Sequence, residues 1–366
     1  MATIETLVKP TASERGGSDT ACPGDAAIAR AVQRCRPLVI RPSAIPGGDV
    51  IAAAIDACAS GRTAYTATDG EGLLRMAPAL FRASHLGLPI VMTVRGSAGR
   101  RDHSHAMALR DCGWVQLYPS DVQDAVDTHI QAFRIAELLS LPVMVCTDTF
   151  VGARTVDPPR VPSVEEIDAF LERGNSRGRP RPVDADARVD VYTEMRHLSH
   201  TKQRLALSTI WQVTADFRMH FGRRSGGLLS THRLCAAKLV VLGLGSTFEA
   251  LCAAADDLTE NGISVGAVGL RSFRPFPGQD VRAALLHCQR VVIVERAVAV
   301  GIGGIVSAEV RSAVTRLPIQ THTVIAGLGD RTISPPSLQR VLYQAAHGTL
   351  EELSFLDVNP ERDRNV

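Results

Sequence analysis

The stretch TAYTATDGEGLLRMAPALFRASHLGLPIVMTVRG, Thr63 to Gly96, decides the fold. Its opening TAYTAT alternates as a strand does and stops at Asp69-Gly70. GLLRMAPALFRASHLG then predicts one helix, with Pro78 near its start where proline is tolerated. LPIVMTV is apolar at nearly every position, the mark of a strand buried on both faces. A strand, a helix and a fully apolar strand make a parallel sheet with helices on both sides. Ligands of such sheets sit at the carboxyl ends of the strands.

The same alternation continues outward. PLVI and the helical GGDVIAAAIDACASG precede this stretch. WVQLY, the amphipathic DVQDAVDTHIQAFRIAELL and the apolar LPVMVCTDT follow it. From about residue 156 the character changes, because DPPRVPS and ERGNSRGRPRPVDADARVD are rich in Pro, Gly and Arg. Within this region RHLSHTKQRLALSTIWQVTADFRMHF predicts one long helix. The cluster Arg173, Arg177, Arg179 and Arg181 reads as a solvated surface loop. From Ala237 a second α/β unit begins, with KLVVLGLG, ISVGAVGL, RVVIVE and IQTHTVIAG as its strands.

Composition excludes several classes of function. The chain has 366 residues, 45% hydrophobic and 21% charged, enough for two domains with aliphatic cores. A net charge of +2 excludes a strongly basic nucleic-acid binder. No apolar run reaches the ~18–20 residues of a membrane span. The start is polar and carries Glu5 and Glu14, which argues for a loose tail in a cytoplasmic protein. The 8 cysteines are far apart and no pair is spaced C-x-x-C. No iron–sulfur or structural zinc site is therefore assigned to this chain, and any electron-transfer centres belong to another one.

Three glycine-rich turns follow strands, GLGS at Gly243, GIGG at Gly301 and GLGD at Gly327. None completes a dinucleotide fingerprint, so tight turns are the expected reading. In TDGEG, Thr68 stands where a metal-placing Gly-Asp-Gly would need glycine, and Asp69 or Glu71 is expected to cap the next helix. The densest polar segment is RRDHSHAMALRDCGW, Arg100 to Trp114. On an extended strand His103 and His105 would point the same way and could ligate a metal, although no distant fourth ligand is evident. A nucleophile role for Ser104 is the weakest reading, since triad partners meet through folding. A polar loop at the carboxyl end of LPIVMTV, bonding an anionic ligand or a partner chain, is the leading one.

These segments resemble a known family. TAYTATDGEGLLRM, LGLPIVMTVRG and DHSHAMALRDCGWVQLYPSDVQDAVDTHIQAF are similar to the alpha chain of pyruvate:ferredoxin oxidoreductase and of the wider 2-oxoacid:ferredoxin oxidoreductases. LRSFRPFPGQDVRAAL, ERAVAVGIGGIVSAEV, IAGLGDRTISPPSL and the arm segment YTEMRHLSHTKQRLAL agree with the same family. The resemblance spans roughly Asp25 to Ala346. It implies two doubly wound parallel-sheet domains joined by an extended arm. The first would be a thiamine-diphosphate-fold pyrimidine domain over residues 25–155, and the arm residues 156–236. The second would be a transketolase-C-terminal-like domain over 237–348, with tails at 1–24 and 349–366.

Such an enzyme oxidises a 2-oxoacid with coenzyme A to an acyl-CoA, carbon dioxide and two electrons. The alpha chain supplies the pyrimidine-side wall of the thiamine diphosphate site. A beta chain holds the diphosphate and its Mg2+, and gamma and ferredoxin-like delta chains complete the assembly. Iron–sulfur clusters on those partner chains deliver the electrons to ferredoxin. By this resemblance Thr68, Asp69 and Gly70 fall at the cofactor. Arg95, or Arg100 or Arg101 in its place, faces the substrate carboxylate. Asp102, His103, Ser104, Arg110 and Asp111 form a substrate-side loop, and no metal ligand is assigned.

Two departures matter. RPSAIP places Ala44 and Ile45 where the family's Y-P-I-T-P carries a hydroxyl. The family's E-S-E-H-S-A segment, whose glutamate activates the cofactor, has no counterpart before TAYTAT. Glu71, where the family has glutamine, is then the candidate to replace it in acid–base work. The competing reading is a catalytically degenerate assembly or regulatory subunit, and a transketolase-like dehydrogenase beta chain is the third.

Overall fold

The computed structural model describes residues 23–40, 50–58, 60–96, 102–148, 158–172, 192–235, 237–329 and 331–358. The N-terminal tail up to residue 22, Ala44, Ile45, Arg100, Arg101 and the Arg173–Arg181 cluster lie outside the described residues.

The first sheet carries five parallel strands, β1 (Leu38–Val39), β2 (Ala64–Asp69), β3 (Ile90–Arg95), β4 (Val115–Leu117) and β5 (Val143–Thr147). Helices α1 (Pro23–Arg34), α2 (Val50–Cys58), α3 (Gly70–Arg75), α4 (Ala77–Leu86), α5 (Ser104–Ala108) and α6 (Val122–Leu139) connect or flank them. The arm supplies α7 (Val164–Phe170) and the 30-residue α8 (Tyr192–Phe221). The second sheet contains β6 (Leu229–His232), β7 (Leu239–Leu244), β8 (Val265–Leu270), β10 (Arg290–Glu295), β11 (Gln320–Ile325) and β12 (Leu353–Phe355). Strand β9 (Ser272–Arg274) precedes α10 (Gly278–Leu285), and α11 (Ile305–Ala313) and α12 (Pro335–Ala346) complete the second unit, where α9 (Thr247–Glu260) follows β7. No helix among the described residues is long and apolar enough to cross a membrane.

The sheet orders are β1-β2-β3-β5-β4-β9 and β12-β11-β10-β7-β8-β6. Both are α/β and mostly parallel, as the strand–helix alternation requires. Four details differ from the sequence reading. The single helix expected after Asp69 is two, because Pro78 at the first turn of α4 lacks the N–H to continue the ladder and the break falls at Met76. Strand β9, taken from the second unit, pairs antiparallel with β4 at the edge of the first sheet. The stretch read as a C-terminal tail contributes β12, parallel to β11. The arm is docked, with Ile167, Phe170, Ile210, Val213 and Phe217 buried in one core with α6.

That docking explains α6. Its pattern predicts a polar outer face, yet Asp124, Asp127, His129 and Gln131 are all buried. The loop after α8 covers them: Arg223 Nε donates to Asp127 at 2.7 Å, and the Ser225 hydroxyl donates to Asp124 at 2.7 Å. Arg271 forms an ion pair with Asp124 within the same buried cluster. His129 lies on the sheet side, its Nδ1 2.6 Å from the Ala125 carbonyl and its Nε2 2.7 Å from Thr93 Oγ1. A carbonyl only accepts, so Nδ1 carries the proton and Nε2 accepts from Thr93, which in turn lies 2.8 Å from the Tyr65 hydroxyl.

Burial pushes His129 down from 6.5 to about 4. The folded protein therefore refuses a proton that the unfolded chain binds between those values. Stability rises with pH across that window and falls as pH drops from 6.5 toward 4. The shift corresponds to about 3 kcal/mol. Urea midpoints near neutrality and at about pH 4.5 should show the loss, and His129→Gln should flatten it. A parent profile flat across that window would refute the assignment.

Candidate active site and domain junction

The carboxyl ends of β2, β3 and β5 open onto a small recess with a cavity volume of about 20 Å3. Gly70, Arg95, Gly96, Asp102, His103 and His105 are among its lining residues, with Val94, Cys146 and Thr147 behind them. Asp69 caps α3, its Oδ1 accepting from Gly72 N at 2.7 Å, as the sequence suggests. Thr68 Oγ1 turns back to the Asp69 carbonyl at 3.2 Å. Gly70 is needed for space: a Cβ there would come within 2.1 Å of His105 Nδ1. Arg95 ends β3 opposite Asp69 on one side and Thr147 on the other. Its side chain is 54% exposed and, among the described residues, pairs with Asp25 at 3.4 Å. Glu71 points away from the recess, 56% exposed and 3.8 Å from Arg75 one turn on.

The DHS segment does not run as an extended strand. His103 precedes the short helix α5, so His103 and His105 diverge. His103 turns inward: it is buried, Nε2 lies 3.2 Å from Asp148 Oδ2, and its ring meets Tyr118 edge-on at 5.2 Å. Asp102 accepts from Ser104 N at 2.9 Å and from Gly329 N of the second unit at 2.8 Å. His105 lines the recess and has no hydrogen-bond partner among the described residues. Arg110 lies 3.5 Å from Asp111, which also meets Arg274 at 3.1 Å. Trp114 is buried and donates Nε1–H to the Leu80 carbonyl at 2.9 Å, which pins the end of the segment to α4. Of the residues assigned from sequence, Gly70, Arg95, Asp102 and His103 meet at one recess. Arg110 and Asp111 lie elsewhere. From sequence His105 reads only as a metal ligand beside His103, and Asp148 is not singled out, because nothing local marks it.

Asp148, just past β5, is the centre of the domain junction. It accepts from the Ser246 hydroxyl at 2.9 Å and from Arg296 Nη1 at 3.1 Å. Ser246 N is 3.3 Å away, and His103 N donates to the Arg296 carbonyl at 2.9 Å. In the second sheet β7 lies between β8 and β10, so the connections diverge between β7 and β10. That point is where a doubly wound sheet ordinarily takes its ligand. Here a carboxylate of the first unit fills it, held by the turn that opens α9. The GLGS turn is shaped for this: Gly245 has φ +62°, and a Cβ on it would come within 3.0 Å of Asp148 Oδ2. Burial opposes ionisation of Asp148, but His103, Arg296 and Ser246 together hold its carboxyl below the usual range. Asp102 is held low in the same way, its desolvation overcome by the Gly329 and Ser104 N–H groups. Two of the three glycine turns thus bind the first unit.

No group of three or more His, Cys, Asp or Glu side chains among the described residues is placed to hold a metal ion. Two mostly parallel α/β units joined through their carboxyl ends, with a recess on the first, define a two-domain α/β chain whose candidate site lies at the strand ends. Residues 48–216 match the family of pyruvate flavodoxin/ferredoxin oxidoreductase thiamine diphosphate-binding domains. Residues 237–338 match pyruvate:ferredoxin oxidoreductase core domain II. The chain is 33% identical over 333 residues to pyruvate synthase subunit PorA of Methanosarcina barkeri, covering 85% of this chain and 82% of that one. For PorA of Thermotoga maritima the identity is 31%, over 85% and 84% of the two chains. For the alpha subunit of NADH-dependent phenylglyoxylate dehydrogenase of Aromatoleum evansii it is 30%, over 77% and 74%. Among solved structures, 2-oxoglutarate:ferredoxin oxidoreductase from Magnetococcus marinus superposes with TM-score 0.55 at 17% identity, over 81% of this chain and 55% of that longer one. An inactive split-gene transketolase beta tetramer gives 0.51 at 13%, over 89% and 96%. These two share the fold. The chain belongs to the family of 2-oxoacid:ferredoxin oxidoreductase alpha subunits, and it is one subunit of such an enzyme. Neither the degenerate-subunit reading nor the transketolase-like one is favoured by this.

Proposed function

We propose that the recess bounded by Gly70, Arg95 and His105 is this chain's wall of a thiamine diphosphate site that a beta chain completes. The cofactor would supply the carbanion chemistry that breaks the bond to the 2-oxoacid carboxylate. The observation that carries the proposal is the half-exposed guanidinium of Arg95 at the carboxyl end of β3, held loosely by Asp25 at 3.4 Å, beside the imidazole of His105, which has no hydrogen-bond partner among the described residues. The fit is of one wall only: Arg95 offers a planar fork to a carboxylate at the rim of the recess. His105 can take up and return a proton beside Gly70, the role that the missing glutamate leaves open. Asp102 and His103 act on the site through the junction, by fixing where α5 begins. Thr68, Asp69 and Ser104 shape the rim, and the remote Arg110 and Asp111 hold the edge strand β9 through Arg274.

The assembly would contain beta, gamma and ferredoxin-like delta chains, with Mg2+ and iron–sulfur clusters on those partners. It would oxidise a 2-oxoacid with coenzyme A in the cytoplasm and reduce ferredoxin. Affinity purification of the chain from its own cells tests this. Expected are co-purified chains carrying thiamine diphosphate and reducible clusters, with 2-oxoacid- and coenzyme A-dependent viologen reduction. A stable complex without thiamine diphosphate and without viologen reduction would overturn the proposal.

A further inference from the structure

At the opposite, amino-terminal end of the first sheet, a groove with a cavity volume of about 350 Å3 runs between α8 and the Arg110–Trp114 and Arg274–Phe276 segments. Its walls are strongly basic. Arg196, His200 and Arg204 recur at intervals of four along α8, which places them on one helix face. Arg110 and Arg274 stand across from them. Asp111 is the single carboxylate among the lining residues. It is already occupied by Arg110 at 3.5 Å and Arg274 at 3.1 Å, and Glu309 takes Arg274 from behind at 2.7 Å.

The two α8 arginines are left uncompensated. Arg204 is exposed, with no hydrogen bond or ion pair among the described residues. Among the described residues Arg196 hydrogen-bonds His85 alone, Nη1 to Nε2 at 3.2 Å, a histidine whose burial and neighbouring guanidinium disfavour its charged form. The floor is firm: Gln203 Nε2 donates to the Gly113 carbonyl at 2.8 Å, and Trp114 beneath is fully buried. A concave site of this size on rigid elements suits a small molecule. Guanidinium forks suit phosphate oxygens, to which they bond in pairs.

We propose that this groove binds a phosphate-bearing small molecule, held by Arg196 and Arg204 on one side and Arg110 on the other. The probes are ADP and inorganic pyrophosphate, titrated calorimetrically into the full-length chain. Saturable binding is expected, weakened about 10-fold or more by Arg204→Ala and again by Arg196→Ala. Arg204 has no partner to lose, so the variant's thermal midpoint should equal the parent's. Tighter binding of ADP identifies an organic ester resting on Pro275 and Phe276, and tighter binding of pyrophosphate an inorganic anion; both uphold the site. Absence of heat from both probes at about 10 mM, or an Arg204→Ala variant that binds as the parent does, would overturn it. So would binding confined to a polyglutamate peptide, which would mark the groove as a protein-docking surface.

Discussion

Asp148→Ala is expected to destabilise the protein by about 3–5 kcal/mol, the cost of leaving buried charge without its partner. The side chain is 1% exposed, and among the described residues it is the carboxylate that pairs with Arg296, itself 11% exposed. His103 and Ser246 lose their acceptor with the same change. Asp148→Asn keeps an acceptor oxygen but not the charge, so its loss should be smaller. Urea unfolding followed by fluorescence checks both. A loss below about 1 kcal/mol for the alanine variant would show that water enters and replaces the carboxylate. The pH dependence has a definite sign. A carboxyl held below its unfolded value of 3.8 contributes stability above that value and loses it as pH falls through the folded one. This acid limb is separate from the His129 window, which closes at higher pH.

The largest effect on turnover is expected at His105. His105→Ala should lower kcat of the assembled enzyme by about 10²–10⁴-fold, the usual contribution of general acid–base catalysis. Glu71→Gln should leave turnover close to the parent's, because that side chain faces solvent and pairs with Arg75. Viologen reduction with saturating 2-oxoacid and coenzyme A measures both. His105→Asn preserves size and hydrogen bonding, so it should lose turnover while thiamine diphosphate still binds. Turnover abolished by Glu71→Gln and untouched by His105→Ala would assign the role to the glutamate instead.

The amino-acid pattern by itself determined the two parallel sheets. Alternation in TAYTAT and unbroken apolarity in LPIVMTV and KLVVLGLG are properties of each strand's own faces. The cap at Asp69 was legible for the same reason, since the acceptor and its N–H are three residues apart. Tertiary structure decided everything that depends on which loops meet. Asp148 and Arg296 stand 148 residues apart, and Asp102 and Gly329 stand 227 apart. Periodicity specifies the face an element buries, and it carries no information on which carboxyl-end loop lies opposite another. That is why the DHS segment was legible only as a polar loop and the glycine motifs only as tight turns, with no sign that they meet across the junction. The polar face of α6 misled for a related reason: the pattern marks polarity, and only packing decides whether water or Arg223 and Arg271 answer it.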